Sequence, residues 1–345
     1  MAKKVYVGLS GGVDSSVTAA LLLEQGYDVT GVYMKNWSQD LPGFACPWKE
    51  DYQDAKRVAV QLGIAFKMYD FEKEYRQKVV DYMVAEYQAG RTPNPDIMCN
   101  QEVKFKLFLE TCLQDGADLI ATGHYARVKN GQLLKAVNPD KDQTYFLYRV
   151  TEAALECSLM PIGEFKTKSE VRALAKKFGL VTADKKDSQG ICFVGKVGIK
   201  DFLLHELGAQ TPGPIIDEAG KSIGQHDGAI FYTIGQRHGL DVGGGLPYYV
   251  IGKDMTKNEV YVTTNIDDKE LWHKELKLTD VHWINGQPSQ TKLQVRARYR
   301  SDLIDCEIAD GGKTVALQDE IRAITPGQSA VFYDGDKVLG GGIIS

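Results

Sequence analysis

The stretch Val5-Tyr6-Val7-Gly8-Leu9-Ser10-Gly11-Gly12-Val13-Asp14-Ser15-Ser16 decides the fold. Val5 to Val7 read as a buried strand, Gly8 to Gly12 as a flexible loop, and Ser15 to Gln25 as a helix closed by Gly26. A helix that opens directly after a strand aims its unbonded N–H groups and positive dipole end at one point, which suits an anion. The adjacent Gly11 and Gly12 let that anion come close. Outward from the loop, Asp28 to Met34 reads as a second strand and Tyr52 to Leu62 as a helix ended by Gly63. Ala65 to Tyr69 follows as a strand, and Glu74 to Gln88 as a longer helix. This βαβα order predicts an α/β domain with a parallel sheet, its ligand at the carboxyl ends of the strands. Leu119 to Thr122 reads as a further strand that delivers Gly123-His124 to the same edge.

Thr167 to Phe178 carries a capping box, Thr167 with Glu170, and apolar residues at helical spacing. Beyond about residue 205 the texture changes to short alternating runs broken by Gly, Pro and Asn. These are Ala229 to Ile234, Tyr248 to Gly252, Val260 to Thr264, Gln294 to Arg300, Ile304 to Ile308 and Ala330 to Tyr333. The expected organisation is a catalytic α/β domain over 1–204, a small β-rich domain over 205–272 and a C-terminal β barrel over 273–345.

At 345 residues, 43% hydrophobic and 25% charged, the chain has a globular composition, and its longest apolar run, Ala19 to Leu23, is far short of a membrane span. Met1-Ala2-Lys3-Lys4 leads straight into the first strand without the pattern of a signal peptide, so no membrane association and a cytoplasmic address are expected. The net charge of −5 argues at first against a nucleic-acid partner. Its distribution weakens that argument: residues 1–200 hold 27 basic and 25 acidic residues, residues 201–345 hold 14 and 21, and residues 165–200 hold nine and three.

The loop lacks the Gly-Lys-Ser/Thr ending that grips β and γ phosphates, which argues against a P-loop NTPase. Ser10-Gly11-Gly12-Val13-Asp14-Ser15 instead resembles the pyrophosphate loop of ATP pyrophosphatases, which attack the α-phosphate of ATP, adenylate a substrate oxygen and release pyrophosphate. Asp14 would then help hold Mg2+ on the leaving pyrophosphate. Adenylation turns a poor leaving oxygen into a good one, and the loop alone leaves ammonia, amine and sulfur acceptors open.

Six cysteines, with no Cys-x-x-Cys pair, suit neither a disulfide framework nor a closed zinc site. Cys112, on one helix face with Phe105, Phe108 and Leu109, and Cys306, alternating with Ile304 and Ile308, read as core, Cys157 reads as structural, and Cys46 sits beside Pro47 in a loop. Cys99 differs: it follows Asn94-Pro95-Asp96, and with two prolines nearby the helix is expected to begin near Gln101, capped by Asn100. A thiol just before a helix N-terminus has its thiolate favoured, and Asp96 is a candidate proton donor or acceptor. Cys192 follows Lys185-Lys186, whose field also favours thiolate, although Ile191 and Phe193 suit an ordinary strand cysteine equally well.

The loop Gly8 to Ser15, Asn94-Pro95-Asp96 with Cys99, Ala121 to Tyr125, Lys141 to Phe146, Gly190-Ile191-Cys192-Phe193 and Phe231 to Arg237 occur in order. Together they resemble the tRNA-specific 2-thiouridylases over essentially the whole chain. The resemblance implies ATP along Gly8, Leu9, Ser10, Gly11, Gly12, Val13, Asp14 and Ser15, with Met34 and Gly123 also on the nucleotide. It implies a tRNA whose wobble uridine is extruded onto Asn94, Pro95 and Asp96. Cys192 would carry a persulfide sulfur from an upstream relay protein or cysteine desulfurase and attack C2. Cys99 would then release the product and pair with Cys192. His124, Lys141, Asp142, Gln143, Arg298, Tyr299 and Gln328 are implied as tRNA contacts. Period-two spacing additionally places Arg296, Arg298 and Arg300 on one face of a strand. Against this stand another adenylating RNA sulfurtransferase, a small-molecule ligase with no need of Cys99 and Cys192, and a non-catalytic tRNA-binding protein.

Overall fold

A computed structural model describes residues 2–41, 43, 45–186, 198–240, 242–243, 245 and 247–345. The anticipated α/β domain is present. Strands β1 (Lys4–Gly8), β2 (Asp28–Lys35), β3 (Ala65–Asp70), β4 (Leu119–Ala121) and β7 (Ser158–Leu159) form one parallel sheet in the order β3-β2-β1-β4-β7. The strand that feeds the loop is therefore central. Its pleat sends Val5 and Val7 into one core with Ala19, Leu22 and Ala59, and Tyr6 into another with Val32, Phe108 and Ile120. Helices α1 (Val13–Glu24) and α2 (Trp48–Leu62) cover the first of these faces.

A four-stranded middle sheet comprises Gly213–Ile216, Ser222–His226, Tyr249–Asp254 and Glu259–Thr263. The strand expected over 229–234 is instead a 3-10 turn at Ala229–Phe231. Gly228 at φ 134° starts the turn, Ile230 enters the core of the α/β domain, and Ala229 and Tyr232 enter the core of the middle domain. An apolar run that must fill two separate cores cannot stay extended in one sheet.

In the C-terminal region six strands close into a barrel, because Trp272–Trp283 pairs both with Thr314–Arg322 and with Lys337–Ile344. A hairpin that follows β4 in the α/β domain, β5 (Arg127–Lys129) and β6 (Gln132–Leu134), adds to this sheet through Lys337↔Leu134 and Val338↔Leu133. The α/β domain and the barrel thus share a sheet. No helix among the described residues is long and apolar enough to cross a membrane.

Candidate active site

The loop takes its shape from its own side chains. Ser10 donates its backbone N–H to Ser15 Oγ at 3.1 Å, the two serine hydroxyls lie 3.2 Å apart, and Ser15 donates to the Gly12 carbonyl at 3.2 Å. Gly12, the N-cap of α1, offers no capping side chain, so the helix N-terminus is left for an external acceptor. Gly11 sits at φ 75°, and a Cβ there would lie 2.4 Å from the Asp51 carbonyl of α2, so this position requires glycine twice over. Leu9 is buried and anchors the loop through its N–H to Val32. Met34 meets Gly8, where a Cβ would touch the methionine methyl at 3.0 Å. Gly123, after β4, packs against the loop so closely that a Cβ would lie 2.7 Å from Ser15 N.

One contact at the loop had no readable signal in the sequence. Lys168, the first residue of the helix Lys168–Lys177, places its ammonium 2.7 Å from both carboxylate oxygens of Asp14, and Tyr125 donates to the same carboxylate at 3.0 Å. No cluster of three or more His, Cys, Asp or Glu suited to a metal occurs among the described residues. Mg2+ is compatible with Asp14 only as an ion that draws its remaining ligands from phosphate and water, which is its usual habit.

The Asn94–Cys99 segment differs from expectation. The helix α3 (Pro95–Met98) starts six residues early, with Asn94 as its cap accepting from the Asp96 N–H at 3.2 Å and Pro95 at its first position. Proline there loses no hydrogen bond, so it opens the helix rather than barring it. Asn100 is consequently no cap: its side chain donates to the Phe146 carbonyl at 3.0 Å. Cys99 lies inside the helical run rather than before it, 5% exposed, and opens a π-helical stretch, Cys99–Leu107. Asp96 keeps solvent contact, yet the protein around it desolvates its carboxyl and pushes the pKa up, while the Lys104 charge pulls it down.

His124 is 9% exposed. Burial first, and then the Lys104 ammonium, hold its pKa well below the usual histidine range, so the ring is neutral. Its Nδ1 lies 2.8 Å from Thr122 Oγ1 and its Nε2 3.4 Å from Lys104 Nζ. With lysine as the donor, Nε2 accepts and Nδ1 carries the proton.

The remaining cysteines are set apart from this chemistry. Burial raises the thiol pKa of Cys46 and of Cys112, and pushes that of Cys306 up to about 12. Cys157 packs against the core. Cys192 lies outside the described residues.

Several residues implied as tRNA contacts are held by protein. Asp142, 4% exposed, accepts from Ala136 N and Thr144 Oγ1. Gln143 accepts from Tyr125 N, Lys141 is half-buried, and Tyr299 packs on Phe146 with ring centroids 4.3 Å apart. Gln328 donates to the carbonyls of Thr92 at 2.7 Å and Pro93 at 3.3 Å, two residues ahead of Asn94. The three-arginine stripe does not form. Its strand ends at Arg296, whose guanidinium turns inward to Asp142 at 3.7 Å; Arg298 donates to the Ala323 carbonyl, and Arg300 adopts φ 62°. A turn closed by Ser301 N to Arg298 O breaks the period-two alternation.

A parallel sheet whose central strand feeds a lysine-free glycine loop defines a nucleotide-binding domain of the HUP class. Residues 3–196 match the family model described as the tRNA methyl transferase HUP domain, 200–264 its PRC-barrel domain and 273–344 the aminomethyltransferase beta-barrel domain. Relatives extend over the full chain. The tRNA-specific 2-thiouridylase MnmA 2 of Geobacillus kaustophilus is 48% identical over 351 residues, spanning 99% of this chain and 94% of its own. The MnmA of Enterococcus faecalis is 47% identical over 356 residues, with 99% and 95% covered. Among solved structures, NMN synthetase from Francisella tularensis is 19% identical with a TM-score of 0.34, over 54% of this chain and 66% of its own. The chain belongs to the tRNA-specific 2-thiouridylase family.

Proposed function

We propose that this protein converts the wobble uridine of tRNA anticodons to 2-thiouridine, using ATP to activate the base and a cysteine persulfide to supply sulfur. The observation that carries the reading is the junction at Gly123-His124. One residue packs on the pyrophosphate loop, and the next reaches the lysine whose charge also acts on Asp96. Nucleotide and base chemistry are thereby linked through adjacent residues.

ATP lies along Gly8 to Ser15, its phosphates at the uncapped helix N-terminus and Met34 and Gly123 against the nucleotide. Asp14 would hold Mg2+ beside the phosphates, and the ion would supply charge neutralisation for the departing pyrophosphate. The uridine, out of its stack, rests on Asn94, Pro95 and Asp96, and its C2 oxygen takes AMP as pyrophosphate departs. The terminal sulfur on Cys192 attacks C2, the C2–O bond breaks, and AMP leaves with the oxygen. Cys99 thiolate then attacks the inner sulfur of Cys192. The sulfur on C2 departs with the bonding pair as the thiocarbonyl, and a Cys99–Cys192 disulfide remains for a thiol reductant. Asp96, its pKa raised by its surroundings, is suited to exchange a proton with the base or the thiol.

His124, Lys141, Asp142, Gln143, Arg298, Tyr299 and Gln328 form the tRNA side of the site. Given the internal bonds of Asp142 and Gln328, these two shape the surface more than they touch RNA. Sulfur comes from a persulfide relay protein or cysteine desulfurase. Incubation with unmodified tRNA, ATP, Mg2+ and a persulfide donor, followed by nucleoside mass analysis, tests the reading. It predicts 2-thiouridine with AMP and pyrophosphate, and a methylated nucleoside or none at all would refute it.

A further inference from the structure

Lys104 is unusual among the lysines of its helix. Lys106 pairs with Glu102 at 3.1 Å, and Lys78 from the preceding helical run pairs with the same carboxylate at 3.0 Å. Lys104 has no carboxylate within ion-pair distance among the described residues; its polar contact is His124 Nε2 at 3.4 Å. Lys104 is half-buried, and its charge acts on the Asp96 carboxyl without a direct ion pair among the described residues.

Its surroundings are arranged to keep that charge available. His124 is buried with Phe105 against its ring, and its Nδ1 is fixed by Thr122, so Nε2 presents a lone pair toward the lysine. An ammonium has three donors, and this contact uses one and orients the others. The π-helical stretch from Cys99 to Leu107, marked by the Phe108 N–H to Val103 carbonyl bond, places Lys104 in the run that Cys99 opens. Such stretches are frequent at functional sites. The Lys104 charge pulls the Asp96 carboxyl pKa down, and Gly123, next to His124, packs on Ser15 N of the loop. Lys104 is therefore joined to the phosphate loop through His124 and its neighbour Gly123, and it shares a helical run with the Cys99 end of the Asn94–Cys99 segment.

We propose that Lys104 is a catalytic residue that binds the phosphate of the adenylated base. It donates to the phosphate oxygens when AMP is transferred to the C2 oxygen and again when the C2–O bond breaks and AMP leaves with the electron pair. This rests on the reaction proposed above. The cation neutralises negative charge where it develops, in a site already organised for it.

The test is single-turnover 2-thiouridine formation at saturating ATP and unmodified tRNA by wild type, Lys104→Met and Lys104→Arg, with melting temperature and tRNA affinity measured alongside. The expected result for Lys104→Met is a rate loss of about 10²–10³-fold, the range seen when one donor to a developing charge is removed. Its tRNA affinity should stay within about threefold, and Lys104→Arg should recover at least about tenfold of the lost rate. A Lys104→Met rate within about threefold of wild type overturns the assignment, as does a loss that only follows weakened tRNA binding. If Lys104→Met melts early, Lys104→Arg and Lys104→Gln decide: equal rates in these two leave no role for the charge. Wild type that forms no 2-thiouridine sinks the underlying reaction instead, and this role with it.

Discussion

The close packing of Gly123 on the phosphate loop yields a prediction whose size follows from distances. An alanine Cβ at 123 would stand 2.7 Å from Ser15 N, 2.9 Å from the Asp14 carbonyl carbon and 3.1 Å from Ser15 Cα, all backbone atoms of the loop. Ordinary contact begins near 3.4 Å, so the loop must retreat by about 0.7 Å. Gly123 is not in the left-handed region, so the substitution adds no backbone strain and acts through the loop alone. A misplacement of about 1 Å costs a reaction about 10²-fold, so Gly123→Ala should slow ATP-dependent pyrophosphate release by about 10–10²-fold. The overpacking should lower stability by about 1–3 kcal/mol. Gly252→Ala, in the middle sheet, is the control. Its new methyl would meet the Tyr261 ring at 3.6 Å, an ordinary contact, and its rate should fall less than about threefold. Pyrophosphate release in the presence of tRNA, with thermal melting on both variants, decides the matter. Wild-type kinetics in Gly123→Ala, or losses equal to those of Gly252→Ala, would refute the claim that this glycine sets the loop position.

Removing Lys168 as Lys168→Met should destabilise the protein by about 1–3 kcal/mol, since a charge-assisted pair to Asp14 is lost, whereas the double variant with Asp14→Asn should lose less than the sum of the single losses; additive losses in chemical denaturation would deny the coupling. Asp96→Asn should abolish thiolation yet melt above wild type at pH 7. A carboxyl whose pKa is raised above 3.8 on folding weakens the native state as pH rises through that window, so the gain should shrink as pH falls toward 4. A gain that is constant from pH 4 to 7 would contradict that cause. Gln328→Leu, which strips the donors from the Thr92 and Pro93 carbonyls, should cost about 1–2 kcal/mol and slow thiolation at saturating tRNA. A change confined to tRNA affinity would make Gln328 an RNA contact instead.

The α/β half of the fold was legible because each local signal agreed with the sheet: Val5 to Val7, the paired glycines at 11 and 12, and the helix stop at Gly63. The site was less so, for three physical reasons. Pro95 was read as a helix breaker, but at the first helical turn its missing N–H costs nothing; the Asn94-Pro95 pair is itself an N-terminal signal. The Lys168–Asp14 pair joins residues 154 apart in sequence, a relation that no local pattern encodes. Arginines 296, 298 and 300 alternate in sequence, yet a turn after Arg296 sends Arg296 to Asp142 and Arg298 to the Ala323 carbonyl and leaves Arg300 at positive φ. The hairpin Arg127–Leu134 carried a readable cue in Asn130-Gly131, both at positive φ, the strongest short-range hairpin signal. Its pairing with the end of the chain did not. Alternation over Ala229 to Ile234 was equally blind to the two cores those residues divide between them.

The central claim is that one site uses ATP to activate a tRNA base for sulfur transfer. Oxygen-18 tracing tests it most directly: tRNA carrying the label at the wobble uridine O2 is thiolated by this protein with ATP and a persulfide donor, and the released AMP is weighed. The account predicts one labelled oxygen in AMP for each 2-thiouridine formed. Unlabelled AMP accompanying 2-thiouridine would contradict it.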